Sequence, residues 1–381
     1  MTGAAAIASY REGFAPGPGV HLNNAGVSPM CRHAAGAIAS LAGKMVSGGS
    51  LGMDETLEAY EATREQIAWL TGASVDHVSH MQTCAVALSQ VAFGIPLAEG
   101  DEIVRWDQEY PSNGYPWHAV ARDKGAKVVI VDSEADLALD TDKLVSAITE
   151  RTKVVTVSWV QFSTGAMTDL KPVADRCKEV GAWCVVDAIQ GLGIVPFDMK
   201  ALGVDAVCGG THKWLAGPVG HGFLALADGR RDQLRPLMHG AITYGTPDDA
   251  IDPARAPRTD PHRFEPGTPL MLGAAGCGAA IAHARTVGIE GLNEAALDLS
   301  DRLIAGLRDR DAHILSKTEG RPRSPIVTFI PRQGTEPVVK ALRERHFAIA
   351  ARAGGIRVAP HAFNTTDDID ALLAVVDDVK G

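Results

Sequence analysis

Short apolar runs recur along the middle of this chain: EIVRW (102–106), KVVIVD (127–132), KVVTVSWV (153–160), AWCVVDA (182–188), VDAVCGG (204–210) and HGFLALA (221–227), alternating with helical stretches. A run too short for a helix and apolar on both sides must be covered on both sides. Mostly parallel strands joined by helices meet that demand, so the chain reads as α/β. In such sheets ligands gather at the C-terminal ends of the strands, which makes the polar residues after each run the ones to question.

The flanks are organised differently. Arg32 to Val46 and Met53 to Leu70 read as helices joined by SGGSLG, and a loop rich in Pro, Asp and Arg covers Tyr244 to Arg263. A long helical pattern from Gly273 to Leu307 follows, then PIVTFI, a helix, GGIRVAP and a last helix from Thr366 to Val379. We expect an N-terminal arm (1–20), a large domain (21–270) and a small α+β C-terminal domain (271–381) on which the N-terminal segment packs. At 381 residues and 46% hydrophobic content the chain can bury such a core.

A net charge of −10 argues against nucleic acid or an anionic membrane as partner. No basic leader and no run of 18 apolar residues is present, so neither a signal peptide nor a span is expected. Cys31, Cys84, Cys177, Cys184, Cys208 and Cys277 have no CxxC or metal-ligand spacing, which fits a reducing cytoplasm and no metal.

CVVD leaves Asp187 at a strand end, where a buried carboxylate needs a cationic partner or a donor. Alone, it reads as a helix cap. The next strand ends in Thr-His-Lys-Trp, which brings Lys213 to the same edge. A protonated pyridinium nitrogen would satisfy Asp187, and an amine in a partly dry site has the lowered pKa that Schiff-base formation needs.

The pieces VVDAIQ (185–190), GGTHKWLAGPVGHGFL (209–224), RFEPGTP (263–269) and GIRVAPHAFNT (355–365) stand in order, and with them the chain resembles the class V aminotransferase family. These fold-type I pyridoxal 5′-phosphate (PLP) enzymes include cysteine desulfurases, selenocysteine lyases and isopenicillin N epimerase. The resemblance implies a large domain with a mostly parallel, seven-stranded sheet, PLP on Lys213, and Asp187 on its ring nitrogen. It implies Gln190 on the phenolic oxygen, His212 beside the phosphate or Schiff base, Thr83 and Cys84 at a phosphate-binding helix start, and Tyr110 stacked on the ring. Thr268 would bind the phosphate of a neighbouring subunit, making a homodimer with shared active sites. Arg357 would hold the substrate carboxylate, with Asn24 beside it and His361 lining the site.

Three departures qualify the match. The segment from Arg343 to His361 has no cysteine to form a persulfide. Tyr110 replaces a histidine, so proton transfers fall mainly to Lys213. Gly210 replaces a serine and Trp159 stands where many relatives have Asn, leaving Thr211 and Gln161 to rearrange the cofactor contacts.

Other motifs carry less. GGSLG matches a nucleophile elbow at Ser50 but has no strand before it. GAAGCG (273–278) reads as helix packing, and His77 with His80 lacks further metal ligands. The expected activity is PLP-dependent chemistry on an α-amino acid, with β-elimination of the C–S lyase kind and no persulfide cysteine. Transamination and epimerisation are the alternatives, and a non-catalytic PLP-binding module or a Ser50 hydrolase is more distant.

Overall fold

The computed structural model describes residues 3–245 and 251–379. Residues 246–250 of the Pro-, Asp- and Arg-rich loop, and the extreme ends of the predicted arm and C-terminal domain, lie outside the described residues. Among the described residues the main sheet has seven strands: β1 (Val78–Met81), β2 (Glu102–Trp106), β3 (Lys127–Val131), β4 (Thr152–Ser158), β5 (Trp183–Asp187), β6 (Ala206–Gly210) and β7 (Gly222–Leu226). Their order is β1-β7-β6-β5-β4-β2-β3, and β7 runs against both of its neighbours while the remaining pairs are parallel.

Strand periodicity explains why the runs are apolar throughout. Val155, Val157 and Val186 enter one buried cluster, while the alternate residues Val154, Val185 and Ala206 enter another across the sheet. All six apolar runs are strands. The seventh, VSHM, carries no apolar run because its polar side chains are satisfied internally: Ser79 Oγ donates to the Pro261 carbonyl at 2.8 Å, and His80 Nδ1 meets His221 Nε2 at 3.1 Å.

Helices Arg32–Gly48 and Met53–Thr71 pack against helix Met271–Arg285. A Cβ at Gly278 would stand 2.6 Å from Thr63 Oγ1, so GAAGCG does serve helix packing. Gly49–Gly52 is a 3₁₀ turn between helices, which leaves Ser50 without the strand an elbow requires. The pattern read as one helix from Gly273 to Leu307 is two, Met271–Arg285 and Ile289–Arg308, divided at Gly288, whose φ of 85° ends the helical run.

A smaller sheet holds β8 (His313–Ile314), β9 (Val327–Ile330), β10 (Ala350–Arg352) and β11 (Gly355–Val358) in the antiparallel order β10-β11-β9-β8. Its core takes in Leu22 from the N-terminal segment, and Val20 and His21 pair in parallel with Phe347 and Ala348. Ile289, Leu292 and Ala296 join the large core, whereas Leu299, Leu303 and Leu307 join the small one. We therefore place the passage between the two units inside the Ile289–Arg308 helix. No helix among the described residues is long and apolar enough to cross a membrane.

Candidate active site

The C-terminal ends of β1, β5 and β6 open onto one edge of the sheet. Asp187, at the end of β5, is 3% exposed. Its Oδ1 accepts from the Ile189 N–H at 3.1 Å and from the Cys84 thiol at 3.4 Å, and its Oδ2 has no donor among the described residues. Burial pushes this carboxyl's pKa up, opposed by the Ile189 N–H, Lys213 and Cys84. A cationic N–H aimed at Oδ2 is what the position lacks.

Lys213 follows the end of β6. Its Nζ lies 5.7 Å from the centroid of the Tyr110 ring and makes no hydrogen bond or ion pair among the described residues. Burial lowers its pKa and Arg357 and Arg352 add to the effect, while Asp187 and Cys84 work against it. An unpaired, partly desolvated amine is the nucleophile that captures an aldehyde.

Beyond β1, Thr83 caps helix Cys84–Gly94, its Oγ1 accepting from the Val86 N–H at 3.1 Å. The free N–H groups of this first turn favour an anion such as phosphate. The turn lies close over the start of β7, where a Cβ on Gly222 would come within 2.6 Å of the Thr83 carbonyl carbon. Cys84 turns its thiol to Asp187, and burial followed by the Asp187 charge holds that thiol well above its ordinary pKa. What Cys84 can offer a phosphate is its backbone N–H. An unpaired amine, a carboxylate oxygen without a donor and a helix start on one sheet edge fit PLP.

On the far side of Lys213, Arg357 is 2% exposed on β11. Its Nη1 donates to the Phe162 carbonyl at 2.5 Å and its Nη2 to Asn23 Oδ1 at 2.9 Å, while Nε is buried without a partner. No carboxylate among the described residues pairs with it. Burial and then Arg352 pull its pKa down to about 10, with Tyr110 opposing. A buried guanidinium without a counter-charge can take a carboxylate. Tyr110, 43% exposed, meets Phe162 edge-on with ring centroids 5.1 Å apart, so it stands between Lys213 and the Arg357 side.

Three expected roles change, those of Asn24, His361 and Thr211. Asn24 is fully buried, donating to the Ala359 carbonyl at 2.8 Å and accepting from Ser28 Oγ at 2.6 Å; the residue at Arg357 is its neighbour Asn23. His361 is packed into the core, its Nε2 2.9 Å from the Trp214 carbonyl and its ring stacked with Tyr10 and Phe363. It supports the lysine loop and does not line the site. Thr211 spends its hydroxyl on the Pro218 and His221 carbonyls. Gln190 donates to the Ala25 carbonyl at 2.9 Å and accepts from Trp214 Nε1 at 3.1 Å, leaving one amide N–H for a ligand.

His212 is half-buried and its ring has no hydrogen-bond partner among the described residues. Gln161 donates to Glu109 at 3.2 Å, Trp159 packs on Gly191, and Thr268 is exposed on the loop after Glu265. Asn23, Phe162 and Glu109 escaped the sequence reading; HLNNAG and EYPSN placed two of them one residue from a chosen neighbour.

The family model described as Aminotransferase class-V matches residues 21–371. A probable cysteine desulfurase of Methanothermobacter thermautotrophicus is 28% identical over 352 residues, covering 87% of this chain and 86% of that one. Two solved structures share the fold. The cysteine desulfurase CsdA of Escherichia coli matches with a TM-score of 0.89 and 24% identity over 97% of both chains. The cystine C–S lyase C-DES, solved with its product cysteine persulfide, matches at 0.87 and 23%, covering 95% of this chain and 98% of that one.

Proposed function

This chain belongs to the class-V aminotransferase family, a family of PLP enzymes, and from that premise we propose that it cleaves the carbon–sulfur bond of a cysteine-like α-amino acid. The observation that carries the reading is the half-buried, unpaired Lys213 amine set between Asp187 and the uncompensated Arg357. PLP, when bound, supplies an electron sink for negative charge developing at the substrate Cα. Lys213 would hold the cofactor covalently and is the base placed to take the proton from the substrate Cα. Asp187 would keep the ring nitrogen protonated, the first turn after Thr83 would bind the phosphate, Tyr110 would cover the ring, and Arg357 would fix the substrate carboxylate.

The sulfur leaves by β-elimination in this reading. All six cysteines are free and buried, and Cys84, the thiol at Asp187, is held protonated. None is placed to accept sulfur as a thiolate. The second reading, transfer of sulfur to a cysteine of this chain, is favoured by the name of the archaeal relative. Products separate the two: elimination from L-cysteine gives pyruvate, ammonia and sulfide, whereas desulfuration gives alanine and a protein persulfide. We expect pyruvate, with turnover retained in a Cys84→Ala variant. Alanine formed with sulfur retained on the chain would establish the second reading.

The exposed Thr268, on a loop lining a pocket of about 410 Å³ with Gln82 and His221, supports a homodimer in which Thr268 reaches the partner's phosphate site. Sedimentation equilibrium is expected to give twice the mass of one chain, and a monomer that binds PLP normally removes this role. Six unpaired thiols fit a reducing compartment such as the cytoplasm.

A further inference from the structure

Behind Asp187 lies a second buried carboxylate that the reading above does not use. Glu109 sits on the turn after β2, one residue before Tyr110, and is 8% exposed. Its Oε1 accepts from the Ser158 N–H at 2.8 Å and from Gln161 Nε2 at 3.2 Å, and its Oε2 accepts from Ser158 Oγ at 2.5 Å and Asn113 Nδ2 at 2.8 Å. Asn113 cannot turn its amide over. Its Oδ1 already accepts from Trp117 Nε1 at 3.1 Å and Thr156 Oγ1 at 2.6 Å, and the indole N–H can only donate. Four donors converging on one carboxyl favour its ionised form.

Among the described residues no cation forms an ion pair with this group. Arg105, the nearest positive group on β2, spends its guanidinium on the Trp106 carbonyl and His118, and Gln161, Asn113, Trp117 and Ser158 carry no charge. The charged neighbour on the other side is Asp187, because Ser158, which donates twice to Glu109, pairs in register with Asp187 on the adjacent strand. Neighbouring strands are about 4.8 Å apart, so two carboxyls flank one point at the mouth of the sheet. Burial pushes the Glu109 pKa up to about 7, against the Ser158 and Asn113 donors, with Asp187 pushing the same way.

A pair of like charges in a dry site is unfavourable until a cation arrives. We propose that Glu109 is a positioning residue whose carboxylate, set behind Asp187, strengthens the hold of that site on a protonated ring nitrogen. The proposal rests on the PLP assignment above. Glu109 touches neither cofactor nor substrate; it acts through the field at Asp187 and through the turn that carries Tyr110.

The test is the pH titration of the ring-nitrogen NMR signal of 15N-labelled PLP bound to the full-length protein. Removing a nearby negative charge makes the protonated cofactor less stable, so Glu109→Gln is expected to lower the midpoint by about half a pH unit or more. Glu109→Asp, which keeps the charge, is expected to return it towards the wild-type value. Should Glu109→Gln not fold, Ser158→Ala decides: taking one donor from the carboxylate weakens its charge and is expected to move the midpoint the same way by less. PLP binding with an unmoved midpoint in the folded variants overturns the proposal alone. Wild-type protein that takes up no PLP removes both the cofactor assignment and this proposal.

Discussion

Lys213→Ala is expected to leave a protein that folds and still binds PLP, yet turns over at least about 10³-fold more slowly, because in the proposed reaction one amine performs both the covalent and the proton-transfer work. Its environment makes the loss hard to rescue from within. Tyr110 stands where a titrating ring would serve and the fully buried His361 is committed to Trp214, with burial pulling its pKa down to about 4, which leaves the half-buried His212, next in sequence, as the imidazole beside the lysine. The measurement pairs product formation with borohydride reduction and peptide mapping. Wild-type protein should carry PLP on the Lys213 peptide after reduction, and the variant should carry none. A variant that retains wild-type turnover, or a label on another lysine, sinks the assignment. Loss of turnover with loss of all helical circular dichroism would mean only that the variant is unfolded, so both signals are read on the same sample.

Arg357→Met is expected to lower kcat/KM by about 10²–10³-fold, the loss that follows when a buried carboxylate is deprived of a charged hydrogen-bonded partner. Arg357→Lys should recover little, since an ammonium cannot reproduce a fork already fixed by Phe162 and Asn23. Cysteamine, which lacks the carboxylate, supplies the control. If Arg357 acts on that carboxylate, cysteamine should be a poor substrate for wild type and no poorer for the variant. A variant that loses equally on both substrates would show that Arg357 acts through folding or through Lys213.

The sheet was legible because strands buried on both faces must be apolar at every position, which few other structures demand. β1 was not, because an internal histidine pair and a carbonyl satisfy its polar side chains and erase the apolar signal. One helix was read where there are two because the apolar period runs on through Gly288. In the site, Asp187 and Lys213 stood out as charges at the ends of apolar runs. Asn24, Thr211 and His361 lie in the right region but spend their hydrogen bonds on the scaffold, often on backbone carbonyls that no side-chain pattern reveals. The Phe162 carbonyl that steadies Arg357 is invisible for the same reason, and Glu109 reads as an ordinary loop acid until β4 is placed beside it.

The reversed strand β7 governs when the site can exist during synthesis. β1, which leads into the phosphate turn, is made early, but it joins the sheet only through β7, whose residues emerge from the ribosome well over a hundred positions later. A nascent chain that has released Asp187 and even Lys213 therefore still lacks the strand that pairs β1 into the sheet. Joining ends so far apart is the slow part of forming such a topology. Arg357 follows later still, so the proposed cofactor site is assembled before the proposed substrate-carboxylate site.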